Sequence, residues 1–214
     1  MLGFIGGTGP EGRGLALRLA MAGEAVLLGS RSEERARQAV EDLLARAPGL
    51  KVEGGLNEEV ARRAEVLFLC VPYAGHADTL RALADALAGK VVVDVVAPLA
   101  FEKGWAYALP VPEGSAGEQA QALAPSARVV AGFHHLSAHD LLDPSHPLEA
   151  DVLLCGDDAE AKAQVMALTE RIPGLRPVDA GPLRMARYLE PFTAVILNVN
   201  RRYRVRASLR LAGL

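Results

Sequence analysis

Five glycines fall within the nine residues from Gly6 to Gly14, and six consecutive positions among them, Gly7-Thr8-Gly9-Pro10-Glu11-Gly12, have the spacing G-x-G-x-x-G. The cluster follows the apolar run Leu2–Ile5 and opens a stretch of helical period, Pro10–Ala22. In that context the glycines divide the work, since Gly7 permits a tight turn, Gly9 lets a pyrophosphate approach the backbone, and Gly12 lets helix and strand pack closely. The free N–H groups at the helix start face the anion. No Gly-Lys-Ser/Thr follows, which excludes the other common phosphate loop.

Nucleotide choice is made at the end of the second strand, where a carboxylate would bind the ribose hydroxyls of NAD. Here the residues are Gly29-Ser30-Arg31-Ser32. A guanidinium flanked by hydroxyls suits a 2′-phosphate. The expected cofactor is therefore NADP(H), with Arg31 as main ligand and Thr8, Ser30 and Arg35 as helpers. The reacting end of the dinucleotide should meet residues that follow later strands: Val71-Pro72-Tyr73, Val96-Ala97-Pro98, and Phe133-His134-His135-Leu136-Ser137.

Four of the five histidines lie between residues 134 and 146. His135 and His139 have the i, i+4 spacing of metal ligands on a helix, but no H-E-x-x-H pattern accompanies them, and Pro144 and Pro147 turn the later part into a loop. A metal is the weaker reading, and none is expected. Lys162 is the only lysine after residue 103 and sits on a surface-like helix, and no serine or cysteine occupies a nucleophile motif. What survives is hydride transfer with little acid–base help, for which a second stacked heterocycle is the natural partner.

Elements must hold these residues together. Leu2–Ile5, Ala25–Leu28, Val66–Cys70, Val91–Val95 and Arg128–Ala131 read as strands, alternating with helices over Pro10–Ala22, Ser32–Ala47, Ala74–Leu87 and Gly114–Leu123. The fold class is α/β, a doubly wound parallel sheet of the Rossmann kind. After about residue 150 the pattern restarts: a strand at Val152–Cys155, a helix capped by Asp157 or Asp158, a short strand at Arg176–Asp179, and a helix from Leu183 interrupted at Pro191. The expected division is a nucleotide-binding unit over 1–150 and, over 151–214, a small second domain or an extension of the sheet.

With 214 residues, half of them apolar, and a formal charge of −3, the chain can bury a core and has no general attraction for nucleic acid or anionic membranes. Cys70 and Cys155 end apolar runs as free thiols would, no stretch is long enough to span a membrane, and a cytoplasmic protein is expected.

The sequence resembles the NADPH-dependent reductases of the deazaflavin coenzyme F420. The resemblance runs through nearly the whole chain, most strongly in "GGTGPEGRGLALRLA", "GSRSEERA", "VVAGFHHLSA", "LLCGDDAEAK" and "GLRPVDAGPLRMARYLEPFTAVILN". It implies a pyrophosphate loop on Gly7, Thr8 and Gly9, a 2′-phosphate pocket on Ser30 and Arg31, and deazaflavin and nicotinamide neighbours at His134, Leu136 and Thr193. Similar domains in membrane metalloreductases use flavin. The family often has Trp where Tyr73 stands and Thr-Ile-Pro where His135-Leu136-Ser137 stand, so coenzyme F420 and FMN or FAD both stay open as the second ring. A redox sensor that binds NADP(H) without turnover is the reading from another class. Members of the family commonly pair, and Val195, Ile196 and Val199 share one face at helical spacing, so a homodimer through the last helix is expected.

Overall fold

Val66-Leu-Phe-Leu69 carries no polar residue and all four side chains are buried, the composition of a strand covered on both faces. A computed structural model describing all residues from Met1 to Leu214 places it near the middle of a single eight-stranded sheet. In chain order the elements are β1 (Leu2–Ile5), α1 (Pro10–Met21), β2 (Val26–Ser30), α2 (Glu33–Arg46), β3 (Val52–Leu56), α3 (Asn57–Arg63), β4 (Val66–Leu69), α4 (His76–Leu87) and β5 (Val91–Asp94). They continue as β6 (Leu99–Glu102), β7 (Trp105–Ala108), α5 (Ala116–Leu123), β8 (Arg128–Ala131), α6 (Ala138–Leu141), β9 (Ala150–Gly156), α7 (Ala159–Glu170), β10 (Leu175–Asp179) and α8 (Ala186–Tyr203).

The strand order is β10-β9-β8-β5-β4-β1-β2-β3, parallel at every step except β8 to β9. Succession runs outward from β1 to β2 and β3 on one side and through β4 and β5 on the other, so a crevice opens where the C-terminal ends of β1 and β4 diverge. Two apolar layers cover the sheet. One centres on α1 and α7 with Phe4, Phe68 and Phe133. The other centres on α3, α4 and α5 with Leu67, Leu80 and Val92. Phe4 stacks on Phe68 at 4.7 Å between centroids, and Phe68 meets Phe133 edge-on at 5.8 Å.

Caps fall where the side chains allow. Ser32, Ser115 and Asp158 each accept an N–H three residues ahead, starting α2, α5 and α7. The structure departs from the sequence reading in several places, among them two short helices, α3 and α6, that the residue pattern does not announce. Val52-Glu-Gly-Gly-Leu56 forms strand β3 although two central glycines make it a poor one, because β2 supplies the whole ladder from Val26 to Ser30. A hairpin, β6 with β7, fills the segment between Ala97 and α5. Finally, α8 is not interrupted at Pro191: the helix runs through it to Tyr203, since proline removes one N–H donor but the surrounding turns hold the helix. Asn198 on α8 ties the hairpin down, donating to the Ala106 carbonyl at 2.9 Å and accepting the Ala106 N–H at 2.8 Å.

Candidate active site

Gly6, and not Gly7, adopts the left-handed backbone at the end of β1, with φ of 68°. Its N–H is held by Asn57 Oδ1 at 3.0 Å, so the first residue of α3 fixes the start of the glycine loop. Gly7 packs on Phe4: a Cβ there would lie 2.6 Å from Phe4 Cβ. A Cβ at Gly12 would lie 2.8 Å from Gly7 Cα and 3.1 Å from Cys70 Cβ, which is why α1 can approach β4 closely. Gly9 is different, for a Cβ there would meet nothing nearer than the Gly6 carbonyl at 3.9 Å. The loop is tight underneath and open above. The first intrahelical bond of α1 runs from the Arg13 N–H to the Gly9 carbonyl at 2.9 Å, which leaves the earlier N–H groups of Glu11 and Gly12 without an acceptor in the helix.

Gly6, Gly9 and Asn57 border a cleft of about 1290 Å³ over the strand ends, whereas Gly7 and Gly12 pack beneath it and do not line it. It brings together Thr8, Gly9, Pro10 and Glu11 from the loop, Ser30, Arg31 and Arg35 after β2, Val71, Pro72 and Tyr73 after β4, and Ala97 after β5. Ser30 is buried and accepts the Ser32 N–H, while Arg31 and Arg35 are exposed with no carboxylate paired to them. Sequence reasoning missed Asn57, Leu56 and the α4 side chains Asp78, Thr79 and Leu83, all of which line the same cleft. They belong to elements whose position relative to β1 no local pattern announces.

The far wall, Val95 to Ala97, is shaped from below. Asp94 accepts the Val96 N–H at 2.9 Å and meets His76 Nε2 at 2.7 Å, and His76 Nδ1 meets Gln119 Oε1 at 2.8 Å. His76 and Asp94 are both fully buried. Burial works to lower the His76 pKa, but the Asp94 charge and hydrogen bond prevail and raise it. Beside this pair, Glu190 of α8 accepts the N–H groups of Ala116 and Gly117 at 2.7 and 3.0 Å, and burial next to Asp94 pushes its carboxyl up to about 8.

His134, Leu136 and Thr193 do not line the cleft. Each is at most 8 % exposed. Phe133 takes a left-handed φ of 67°, an uncommon conformation for an aromatic residue, and the chain turns back on itself with the Leu136 N–H bonded to the Phe133 carbonyl. His134 is thereby drawn inward toward Asp94, and burial pulls its pKa down to about 4, so it is neutral at pH 7. His134 Nε2 and Thr193 Oγ1 are both buried without a hydrogen-bond partner. His135 and His139 do not share a helix. His135 is buried against the Asp151 carbonyl, whereas His139 lies at the surface on the four-residue α6, beside Arg206.

Similarity to characterised proteins runs the length of the chain. The F420-dependent NADP reductase of Methanothermobacter marburgensis is 38 % identical over all of this chain and 98 % of its own, and that of Methanocaldococcus jannaschii is 34 % identical with the same coverage. Residues 1–98 match the family described as NADP oxidoreductase coenzyme F420-dependent. The chain belongs to the F420-dependent NADP reductase family. The crystal structure of a candidate F420-dependent NADP-reductase from Arthrobacter sp. FB24 superposes with a TM-score of 0.85 over 99 % of this reductase and 98 % of its own chain, at 28 % identity. The reductase is accordingly an oxidoreductase on a Rossmann-type sheet, and no helix in it is long and apolar enough to cross a membrane.

Proposed function

We propose that this reductase transfers a hydride between NADP(H) and coenzyme F420, with the dinucleotide in the cleft over β1 and β4. The observation that carries this reading is one continuous cleft joining the open backbone at Gly9 to Ser30, Arg31 and Arg35. The donor set fits an NADP phosphate skeleton. Free N–H groups at the start of α1 suit the pyrophosphate, and two unpaired guanidinium groups suit the 2′-phosphate. Thr8 and Ser30 add hydroxyls to the same lining.

When bound, the reduced nicotinamide supplies the hydride. The chain's own work is placement and exclusion of water. Pro72, Tyr73, Val96 and Ala97 form the apolar end of the cleft, a surface on which two rings can stack. His134, being neutral and buried, has the chemistry to orient a polar ring edge and lacks the charge of an imidazolium; Thr193 Oγ1 has an equally unused hydrogen-bonding capacity. Leu136 belongs to the buried apolar layer around Phe4, Phe68 and Phe133. A ring substrate reaching these two polar atoms requires a rearrangement of the loop after β8.

The test follows deuterium from C4 of NADPH into reduced coenzyme F420, with FMN run in parallel. Retention of the label in F420 supports direct transfer, and its loss to water opposes it. Reduction of FMN in preference to F420 would move the protein to the flavin-using reading, and failure of both would favour a non-catalytic sensor.

The functional unit we propose is a homodimer through α8. Tyr188, Phe192, Val195, Val199 and Tyr203 fall at successive helical turns and are all exposed, with Ile196 half-buried beside them. Trp105 of the hairpin, under the Arg201 guanidinium of α8, borders this stripe and is itself exposed. An exposed apolar stripe is the kind of face a second copy covers.

A further inference from the structure

Glu11 stands where an acid is hardest to reconcile with the cleft's contents. It occupies the second position of α1, two residues after the open backbone of Gly9, and lines the same cleft. Its Oε1 is buried and has no hydrogen-bond partner. The groups around it do not neutralise it. Arg13, two residues ahead on α1, spends Nη1 on Asp42 of α2 at 2.6 Å, and its Nε is buried without a partner. From β4 the neighbour is Cys70, a thiol whose own ionisation is disfavoured by burial and by Glu11 and Asp94. Arg31 and Arg35 border the same cleft but make no bond to the carboxyl.

We propose that Glu11 makes nucleotide binding proton-linked: the complex forms with its carboxyl neutral, and its O–H donates to an oxygen of the bound dinucleotide. The inference rests on the reading of the cleft as the NADP(H) site. Two facts drive it. Burial alone pushes the free carboxyl up to about 8, so both forms are available near neutrality. The start of α1 would favour the carboxylate, yet those N–H groups are the ones a pyrophosphate claims. Anion and carboxylate compete for one set of donors, and a proton on Glu11 removes the conflict. Above about pH 8 the carboxylate must take one proton from solvent as the nucleotide enters, so affinity falls by roughly tenfold per pH unit.

The experiment is calorimetric titration of the full chain with NADPH and with NADH between about pH 7 and 9.5, a range in which the 2′-phosphate, with an ordinary pKa of about 6, stays ionised. Two buffers of different ionisation enthalpy count protons. Wild type should take up close to one proton at the alkaline end, whereas Glu11→Gln should take up none and hold its affinity across the range. Glu11→Leu gives a second variant with no titratable group, should Glu11→Gln fold poorly. Equal proton counts in wild type and either variant, or an affinity independent of pH in wild type, would overturn the proposal while leaving the cofactor reading intact. Tighter binding of NADH than NADPH would instead strike at the cofactor reading, with the proton count still deciding the role of Glu11. No binding of either nucleotide overturns both.

Discussion

Asn57 Oδ1 accepts the Gly6 N–H at 3.0 Å, so the start of one helix secures the first residue of a loop 51 positions earlier in the chain. A Cβ on Gly29 would lie only 2.7 Å from the same oxygen. One amide thus holds the chain leaving β1 and packs against the glycine of β2 at the mouth of the cleft. Asn57→Ala should leave the Gly6 N–H without its partner and cost roughly 1–3 kcal/mol. Urea unfolding measures that loss, and NADPH titration should show weaker binding by a loop that is no longer held. A variant as stable and as tight-binding as wild type would refute the clamp.

Gly9 and Gly12 should separate ligand from fold. Gly12→Ala drives a methyl into Gly7 and Cys70 and should destabilise the protein by about 1–3 kcal/mol. Gly9→Ala meets no neighbour closer than 3.9 Å, so the melting temperature should be nearly unchanged while NADPH affinity drops. If Gly9→Ala binds normally, the open backbone is not where the pyrophosphate lies.

Arg31→Ala should remove most of the preference for NADP(H) over NAD(H), a loss of about 1.5–3 kcal/mol for a hydrogen bond to a charged group. Dissociation constants for both nucleotides, at one ionic strength, give the answer. Equal constants already in wild type would defeat the assignment.

His134 sets a pH signature. Its pKa is about 4 in the folded protein against 6.5 as a free side chain, so between these values the unfolded chain holds more protons. Stability therefore rises with pH across that window and is lost as pH falls through it, by up to about 3 kcal/mol from this group. Denaturation curves of wild type and His134→Asn should converge as pH drops from about 6.5 toward 4. Parallel curves would show that His134 is not buried neutral. Because an orienting group is worth less than an obligatory acid, His134→Ala should also keep measurable turnover.

Much of this arrangement is legible in the residues. The nucleotide half depends on local signals: a glycine spacing, a strand before it, a helix after it, and an arginine where an acid would otherwise stand. Those signals work because phosphate recognition uses the backbone within a few residues. The second half of the site is assembled from afar. His76 and Asp94 are 18 residues apart and pair because β5 lies parallel beside β4, whose chain leads on into α4, and Asn57 finds Gly6 through the crossover into β4. The inward turn at Phe133 has no sequence mark at all, since an aromatic residue is a poor choice for a left-handed φ. It is tolerated because Phe133 is locked edge-on against Phe68 in the core.

The exposed stripe on α8 gives a solution prediction. Val195→Glu, at a position half exposed, should leave the fold intact and lower the mass seen by light scattering from dimer to monomer. A wild type that is monomeric at every concentration would rule out the α8 pairing.

The two bonds between Asn198 and Ala106 have an architectural effect. By offering one carbonyl and one amide N–H to a single residue of β7, a helix side chain reproduces the contacts that a neighbouring strand would make. The hairpin cannot recruit a further strand at that point, which protects a short two-stranded ribbon from edge-to-edge association. Whatever meets this surface must recognise it through rings and methyl groups standing off the ribbon, so molecular recognition there is a matter of shape and not of backbone pairing.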